Sequence, residues 1–269
     1  MPKVEPPPYI PFKVVAHRGR GGRYPGNTLK AIEEAIRLGV DFVEVDVRRT
    51  RDGKLVLWHD DTLESILHRP LDVGEEDYAT LRSYDVGMGE HIPLLEEALD
   101  IMKDKVGVLI DVKKPGYEGD LYRVLGEKGM LGDTIFSGDN AALRRLLELD
   151  RGLAVAYTLY AADPRTLFEA KKLGAMFVNF KFPTVTLDIV TRAHEMGLGV
   201  IVWVVNSPED LVKYARLQVD VITTDMPEEA LKLRERLKEQ ASTGGMVRAL
   251  RQVKPGWQQR RRRTGVAPV

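Results

Sequence analysis

Two rhythms of apolar residues alternate along this chain. Short runs rich in Val, Ile and Leu fall near residues 14, 44, 109, 135, 155, 178, 202 and 221, and each reads as a buried strand. Between them lie segments whose apolar positions recur at helical spacing. In the first, Leu29, Ile32, Ala35 and Ile36 share one face, Asn27 or Thr28 can cap the start, and Gly39 closes the end. From Pro93 onward the spacing predicts helices over Leu94–Met102, Asp120–Lys128, Asn140–Leu149, Pro164–Leu173, Thr186–Met196, Pro208–Leu217 and Pro227–Gln240. Eight core strands alternating with helices predict an α/β fold, a (β/α)8 TIM barrel. A doubly wound sheet is the alternative. It lacks support, because Gly19, Gly21 and Gly22 after the first strand do not have the spacing of a phosphate-binding glycine loop.

The rhythm breaks in three places. After strand 2, Asp52-Gly53 signals a hairpin returning through Leu55–Trp58, and residues 60–90 are irregular and polar with a weak helical pattern near 75–83. This reads as a short insertion after strand 2. Residues 1–12 are Pro-rich and predict an extended lead-in, so the barrel domain is expected over 13–240. Ser242-Thr243-Gly244-Gly245 reads as a linker opening a basic, flexible tail over 241–269.

Charge sharpens this division. The whole chain balances 40 Lys+Arg against 40 Asp+Glu, but the tail holds seven Lys/Arg and no acid, leaving the body net acidic. An acidic body is not a nucleic-acid-binding domain, so no nucleic-acid partner is expected; the tail alone suits an anionic surface. The absence of Cys excludes disulfides, thiolate nucleophiles and Cys-ligated zinc. No apolar run reaches the ~18 residues of a transmembrane segment, and the first residues lack a signal-like apolar stretch. The expected location is cytoplasmic.

Polar residues collect where the strands end, which is the reactive face of such a barrel. Strand 2, Phe42–Arg48, carries Glu44 and Asp46, whose side chains share a face because they are two residues apart. Adjacent carboxylates in an apolar strand repel each other and resist desolvation. A bound cation resolves this, and so does pairing with Arg or Lys. Strand 1 ends in His17-Arg18, the hairpin in His59-Asp60, and strand 3 carries Asp111 and Lys113; Asn179 and Lys181, Trp203 and Asn206, and Thr223-Thr224-Asp225 mark later strand ends. Three carboxylates without Cys suit a hard divalent cation, Mg2+ or Ca2+. Arg18 and Lys113 can meet an anion, and two histidines can serve as acid and base. Together these point to phosphoryl chemistry.

The same residues carry a resemblance. Ala16-His17-Arg18-Gly19 with Pro25-Gly26-Asn27-Thr28, Glu44-Val45-Asp46, Thr50 through Asp60, Ile92 through Glu97, Val202 through Asn206 and Asp220 through Pro227 resemble, in order and spacing, the motifs of the glycerophosphodiester phosphodiesterase family. The resemblance implies the barrel with its insertion. It implies His17 and His59 as the acid/base pair, Glu44, Asp46 and Asp111 as metal ligands, Arg18 and Lys113 as phosphate contacts, and Trp203 in the pocket wall. The implied reaction on a small-molecule glycerophosphodiester yields glycerol phosphate and an alcohol, in one route through attack by the glycerol 2-hydroxyl. A lysophospholipid-acting, phospholipase D-like enzyme and a weakened, phosphodiester-binding barrel are the alternatives. The chain departs from the family pattern at Gly26, where Glu is usual, at Asp111, where Glu is usual, and at Val204, where Thr is usual.

Overall fold

A computed structural model describes residues 12–243. Each predicted core strand is present: β1 (Lys13–Ala16), β2 (Phe42–Arg49), β4 (Gly107–Val112), β5 (Thr134–Gly138), β6 (Ala154–Leu159), β7 (Phe177–Lys181), β8 (Gly199–Trp203) and β9 (Val221–Thr224). All are parallel neighbours in the order β1-β2-β4-β5-β6-β7-β8-β9, and pairing of β1 with both β2 and β9 closes the barrel. Strands covered on both faces read as nearly unbroken apolar runs, which is why this sequence pattern predicted them. The hairpin strand β3 (Leu55–Leu57) lies outside the barrel, antiparallel to β2.

Helices α1 (Leu29–Leu38), α4 (Leu95–Met102), α5 (Glu118–Lys128), α6 (Asn140–Leu149), α7 (Pro164–Leu173), α8 (Leu187–Glu195), α9 (Pro208–Arg216) and α10 (Pro227–Thr243) alternate with the strands. Their apolar faces pack on the outward side chains of the barrel, such as Val43, Val45 and Val47 of β2, and form the main core. Of the two candidate caps for α1, Thr28 is the one used: its hydroxyl accepts the Ala31 N–H. Helix α10 runs to Thr243, past the expected end at Gln240, because no breaker occurs before Gly244. The rest of the basic tail and most of the lead-in lie outside the described residues. Among the described residues no helix is long and apolar enough to cross a membrane.

The insertion is more ordered than its polar sequence implied. It contains two short helices, α2 (Glu64–Leu67) and α3 (Tyr78–Arg82), and a 3-10 turn over Val73–Glu75. The weak helical pattern near 75–83 corresponds to α3, while α2 and the 3-10 turn are too short to show a period. A satellite core holds them down: Leu63, Val73, Leu81, Val86 and Ile92 pack on Val56 of β3.

Inside the barrel, the lower layer is apolar: Val15, Leu109, Ile135, Ala156, Phe177, Ile201 and Val221. Two glycines make room for rings in this layer. A Cβ on Gly107 would lie 2.4 Å from the ring of its cross-strand partner Phe42, and one on Gly199 would lie 2.5 Å from that of Phe177. Below, Asp41 ties the barrel seam to α10. It accepts the Val14 N–H (2.9 Å) and pairs with Lys13 (2.7 Å) and Arg234. Burial opposes the Asp41 charge, but Lys13, the Val14 N–H and Arg234 outweigh it and hold the carboxyl below its ordinary pKa. A depressed carboxylate stabilises the fold above its unfolded pKa, and that contribution is lost as pH falls through the folded value. Asp41→Asn is therefore expected to lower the Tm at pH 7, with the gap to wild type closing below about pH 4 in thermal melts.

Candidate active site

The barrel interior changes character within one pleat. Two residues beyond each member of the apolar layer, on the same face, come His17, Asp111, Ser137, Thr158, Asn179, Trp203 and Thr223. Phe42 likewise leads to Glu44 and Asp46. All of these line one cavity of about 490 Å3 at the C-terminal mouth, together with Arg18, His59 and Lys113. The structure thus brings every site residue expected from the sequence to one place.

The two carboxylates of β2 have different surroundings. Asp46 is buried and well compensated. Asn27 donates to its Oδ2 (2.7 Å), Lys113 Nζ lies 2.9 Å from Oδ1, and Arg18 Nε lies 3.0 Å from Oδ2. Burial opposes the charge on Asp46, yet Lys113, Arg18 and Asn27 lower its pKa below the ordinary value. Glu44 has less. It accepts the Arg18 N–H (2.8 Å), and His17 Nε2 is 4.0 Å away. Burial, then the charge of Asp46, push the Glu44 pKa up to about 8 despite the pull of His17. Asp111 is also raised, by burial and by Asp46, against the pull of Lys113 at 3.1 Å. The sequence left open a cation or ionic pairing for the β2 acids; Asp46 has its pairing, while Glu44 and Asp111 keep unmet demand for positive charge. One oxygen from each of Glu44, Asp46 and Asp111 falls within 4.8 Å of the others.

Neighbouring residues fix these groups. A Cβ on Gly138, which has φ +106°, would lie 2.2 Å from Asp111 Oδ1, so glycine lets β5 pass against that carboxylate. Tyr117 donates to the Val47 carbonyl (2.6 Å) and accepts the Lys113 N–H (3.1 Å), anchoring the lysine to β2. Gly138→Ala is expected to displace Asp111 and weaken Mg2+ binding by about 10–100-fold, measured by calorimetry.

Each histidine has a carboxylate partner. His17 Nδ1 and Asp225 Oδ1 are 2.8 Å apart, and Asn206 donates to the other Asp225 oxygen (2.6 Å). Burial would lower the His17 pKa; Asp225 and Glu44 outweigh it and hold it above the ordinary histidine value. His59 Nδ1 lies 2.7 Å from Asp60 Oδ1. Arg48, largely buried, donates from Nε (3.1 Å) and Nη2 (2.6 Å) to the His59 carbonyl. Arg48→Met is expected to lower kcat roughly tenfold with little change in KM, because it frees the His59 backbone while leaving the binding groups in place; steady-state kinetics check this.

Sequence reasoning assigned no site role to Asn27, Arg48, Asp225 or Tyr160. Arg48 was visible in principle, two residues beyond Asp46 on the same face. Asn27, a candidate cap within the Pro25–Thr28 motif, has a positive φ of 62° and turns its side chain to Asp46 instead. Tyr160 stands exposed at the rim, edge-on to Trp203 at 6.0 Å. Lys181, expected at the strand ends, is exposed and lies over the Tyr160 ring rather than in the cavity wall. The departure at Gly26 also has a structural correlate. Arg18 lies across it on the way to Asp46, and a Cβ there would be 3.0 Å from Arg18 Cβ.

Set against known proteins, residues 17–229 match the family described as glycerophosphoryl diester phosphodiesterase. A glycerophosphodiester phosphodiesterase of Bacillus altitudinis is 29% identical over 244 residues, covering 84% of this chain and 99% of its own. The solved structure of a Thermotoga maritima glycerophosphodiester phosphodiesterase is 25% identical with a TM-score of 0.72, covering 82% of this chain and 98% of that one. An Oleispira antarctica phosphodiesterase, solved with its product sn-glycerol-3-phosphate, shares the fold at 24% identity with a TM-score of 0.77, over 83% of this chain and 96% of that one. With a closed eight-strand barrel, the polar layer at its mouth and a family match spanning most of its length, the chain belongs to the glycerophosphoryl diester phosphodiesterase family.

Proposed function

We propose that this protein hydrolyses glycerophosphodiesters to glycerol phosphate and an alcohol, with a divalent cation held by Glu44, Asp46 and Asp111 and with His17 and His59 as the acid/base pair. The observation that carries this reading is that both imidazoles and the three-carboxylate cluster line a single cavity. The donor set fits a hard cation. It is all oxygen, and separations within 4.8 Å suit oxygens around one Ca2+ with ligands at about 2.3–2.6 Å, while Mg2+, with ligands at about 2.0–2.1 Å, would draw them slightly closer. Asp111 reaches the cluster although it is one methylene shorter than Glu.

When bound, the cation would neutralise charge on the phosphoryl oxygens. The chain supplies the rest. Arg18 and Lys113 add positive charge on the same side of the cavity and orient the diester. Asp225 fixes the His17 ring by its Nδ1 and leaves Nε2 toward Glu44 and the cavity. One imidazole removes the proton of the attacking hydroxyl, from water or the glycerol 2-position, as the new P–O bond forms. The other donates a proton to the departing alcohol oxygen as its P–O bond breaks; where the 2-hydroxyl attacks, this gives a cyclic phosphate, and water then opens it to glycerol phosphate with the two imidazoles exchanging roles.

Two measurements follow. Glycerophosphocholine incubated with Mg2+ or Ca2+ is expected to give glycerol phosphate and choline by 31P NMR, and a chelator stops the reaction. Absence of turnover with either metal, on this diester, on glycerophosphoethanolamine and on a lysophospholipid, contradicts the reading. Mg2+ binding at pH 7 is expected to release a proton, since Glu44 with a pKa near 8 is largely protonated without metal; affinity then rises with pH up to about 8. Calorimetry in buffers of different ionisation enthalpy counts that proton.

A further inference from the structure

Among the described residues, five large apolar side chains stand more than half exposed: Met88, Leu149, Tyr160, Phe168 and Leu187. Scattered singly, such residues need no explanation. Four of these five share one end of the molecule. Each barrel strand ends at the mouth, so the loop and helix start that follow it lie there too. Tyr160 directly follows β6 and stands edge-on to Trp203 of the cavity wall. Leu187 is the first residue of α8. Phe168 sits one turn into the neighbouring α7, turned away from the buried Leu167 and Ala170. Met88 tips a turn of the insertion, and that turn abuts the loop between β1 and α1. A Cβ on Gly87 would lie 3.0 Å from the Pro25 ring, and the Glu90 carboxylate accepts the Lys30 N–H (3.3 Å). The four side chains therefore flank the mouth on two sides. Leu149, the last residue of α6, is at the other end of the barrel.

The charges beside these side chains differ by sign in what they bond. The acids are bonded within the protein. Asp163 caps α7, Asp188 pairs with Arg192, Glu169 accepts the Tyr157 hydroxyl (3.4 Å), and Asp85 and Glu90 accept main-chain N–H groups. The bases are not paired in this way. Arg165 and Lys172 flank Phe168 on the solvent face of α7, at i−3 and i+4. Lys181, at the end of β7, lies over the Tyr160 ring at 6.0 Å. All three are exposed, and none has a carboxylate partner among the described residues. Apolar tips set among unpaired cations match the two layers of an anionic bilayer surface, acyl boundary and headgroup phosphates. Tyrosine favours that boundary.

We propose that the mouth of the barrel docks on an anionic lipid surface. Tyr160, Phe168 and Leu187 enter the headgroup–acyl boundary on one side of the cavity and Met88 on the other, while Arg165, Lys172 and Lys181 meet lipid phosphates. This goes beyond the phosphodiesterase reading and does not depend on it.

The chain has no cysteine, so single probes can be placed cleanly. Leu187→Cys and Leu149→Cys, each labelled with an environment-sensitive fluorophore, are mixed with vesicles of phosphatidylcholine and phosphatidylglycerol at physiological salt. Emission from position 187 is expected to shift to the blue, and emission from position 149 to stay that of a probe in water. Cosedimentation of the unlabelled protein reads affinity. Phe168→Ser combined with Leu187→Ser is expected to lower the partition coefficient about tenfold, and Lys181→Gln about fivefold. The replaced side chains are exposed, so these variants keep the wild-type Tm. The basic tail is intact in every variant, so binding through the tail alone would leave position 187 in water and the variants at wild-type affinity. Either result overturns the proposal, as does the absence of vesicle binding or an equal shift at both positions. A blue shift at position 187 without vesicles, with a doubled mass by light scattering, would assign this face to a second copy of the chain and also overturn it. No substrate is present in these measurements, so failure of the docking and failure of the phosphodiesterase reading are distinct results.

Discussion

Replacing His17 or His59 with alanine is expected to lower kcat on a glycerophosphodiester by about 10²–10⁴-fold, the usual contribution of a positioned acid or base. Neither side chain belongs to an apolar core cluster, so thermal melts should change far less than kcat. The two replacements combined should cost little more than the worse one, because residues that act in one proton-transfer sequence are not additive. Asp225→Asn refines the test. It removes the charged partner that raises the His17 pKa, so the limb of the pH–rate profile belonging to His17 should move to lower pH while KM stays near wild type. If either alanine variant retains full activity, that histidine is neither acid nor base.

The second large effect is expected at Asp46. Asp46→Asn should weaken Mg2+ or Ca2+ binding more than about 100-fold, beyond the 10–100-fold typical of residues that merely support a ligand. It should also destabilise the metal-free protein. Asp46 is the one cluster carboxylate whose pKa is lowered, and without its charge Lys113 and Arg18 face each other across a buried site; breaking a buried pair on one side costs about 3–5 kcal/mol. Melting with and without metal separates the two consequences. Wild type gains stability with added Mg2+ according to its affinity, whereas Asp46→Asn starts lower and gains little. Glu44→Gln offers the contrast. It should lose metal binding with a smaller effect on the metal-free fold, because burial already keeps Glu44 largely protonated near neutral pH.

Much of this was legible in the sequence because a parallel barrel strand is buried on both faces. A run such as Gly107–Val112 is apolar throughout except at Asp111, which lines the cavity, so the strand and its polar residue share one pattern. The carboxylate pair in β2, Lys113 and both histidines were found in this way, as polar interruptions near strand ends. What escaped depends on contacts no local pattern encodes. His17 and Asp225 meet only because β1 and β9 close the ring, 208 residues apart. Asn27 sits beside a cap residue and had a sufficient local explanation, so its bond to Asp46 was hidden. Arg18 lying over Gly26 and Gly138 passing Asp111 are close approaches between separate loops and strands. The insertion was legible only in part for another reason: α2 and its 3-10 turn are too short to show a period, and its small core forms against β3 rather than within its own sequence.

On the reading proposed above, three carboxylates and two imidazoles form one phosphodiesterase centre. Its most direct test is a crystal structure of this protein with Mn2+ and sn-glycerol 3-phosphate, read from the anomalous signal of the metal. One strong peak is expected among Glu44, Asp46 and Asp111, with the phosphate beside it between His17 and His59. A metal bound elsewhere with that cluster empty, or a phosphate out of reach of both histidines, would contradict it.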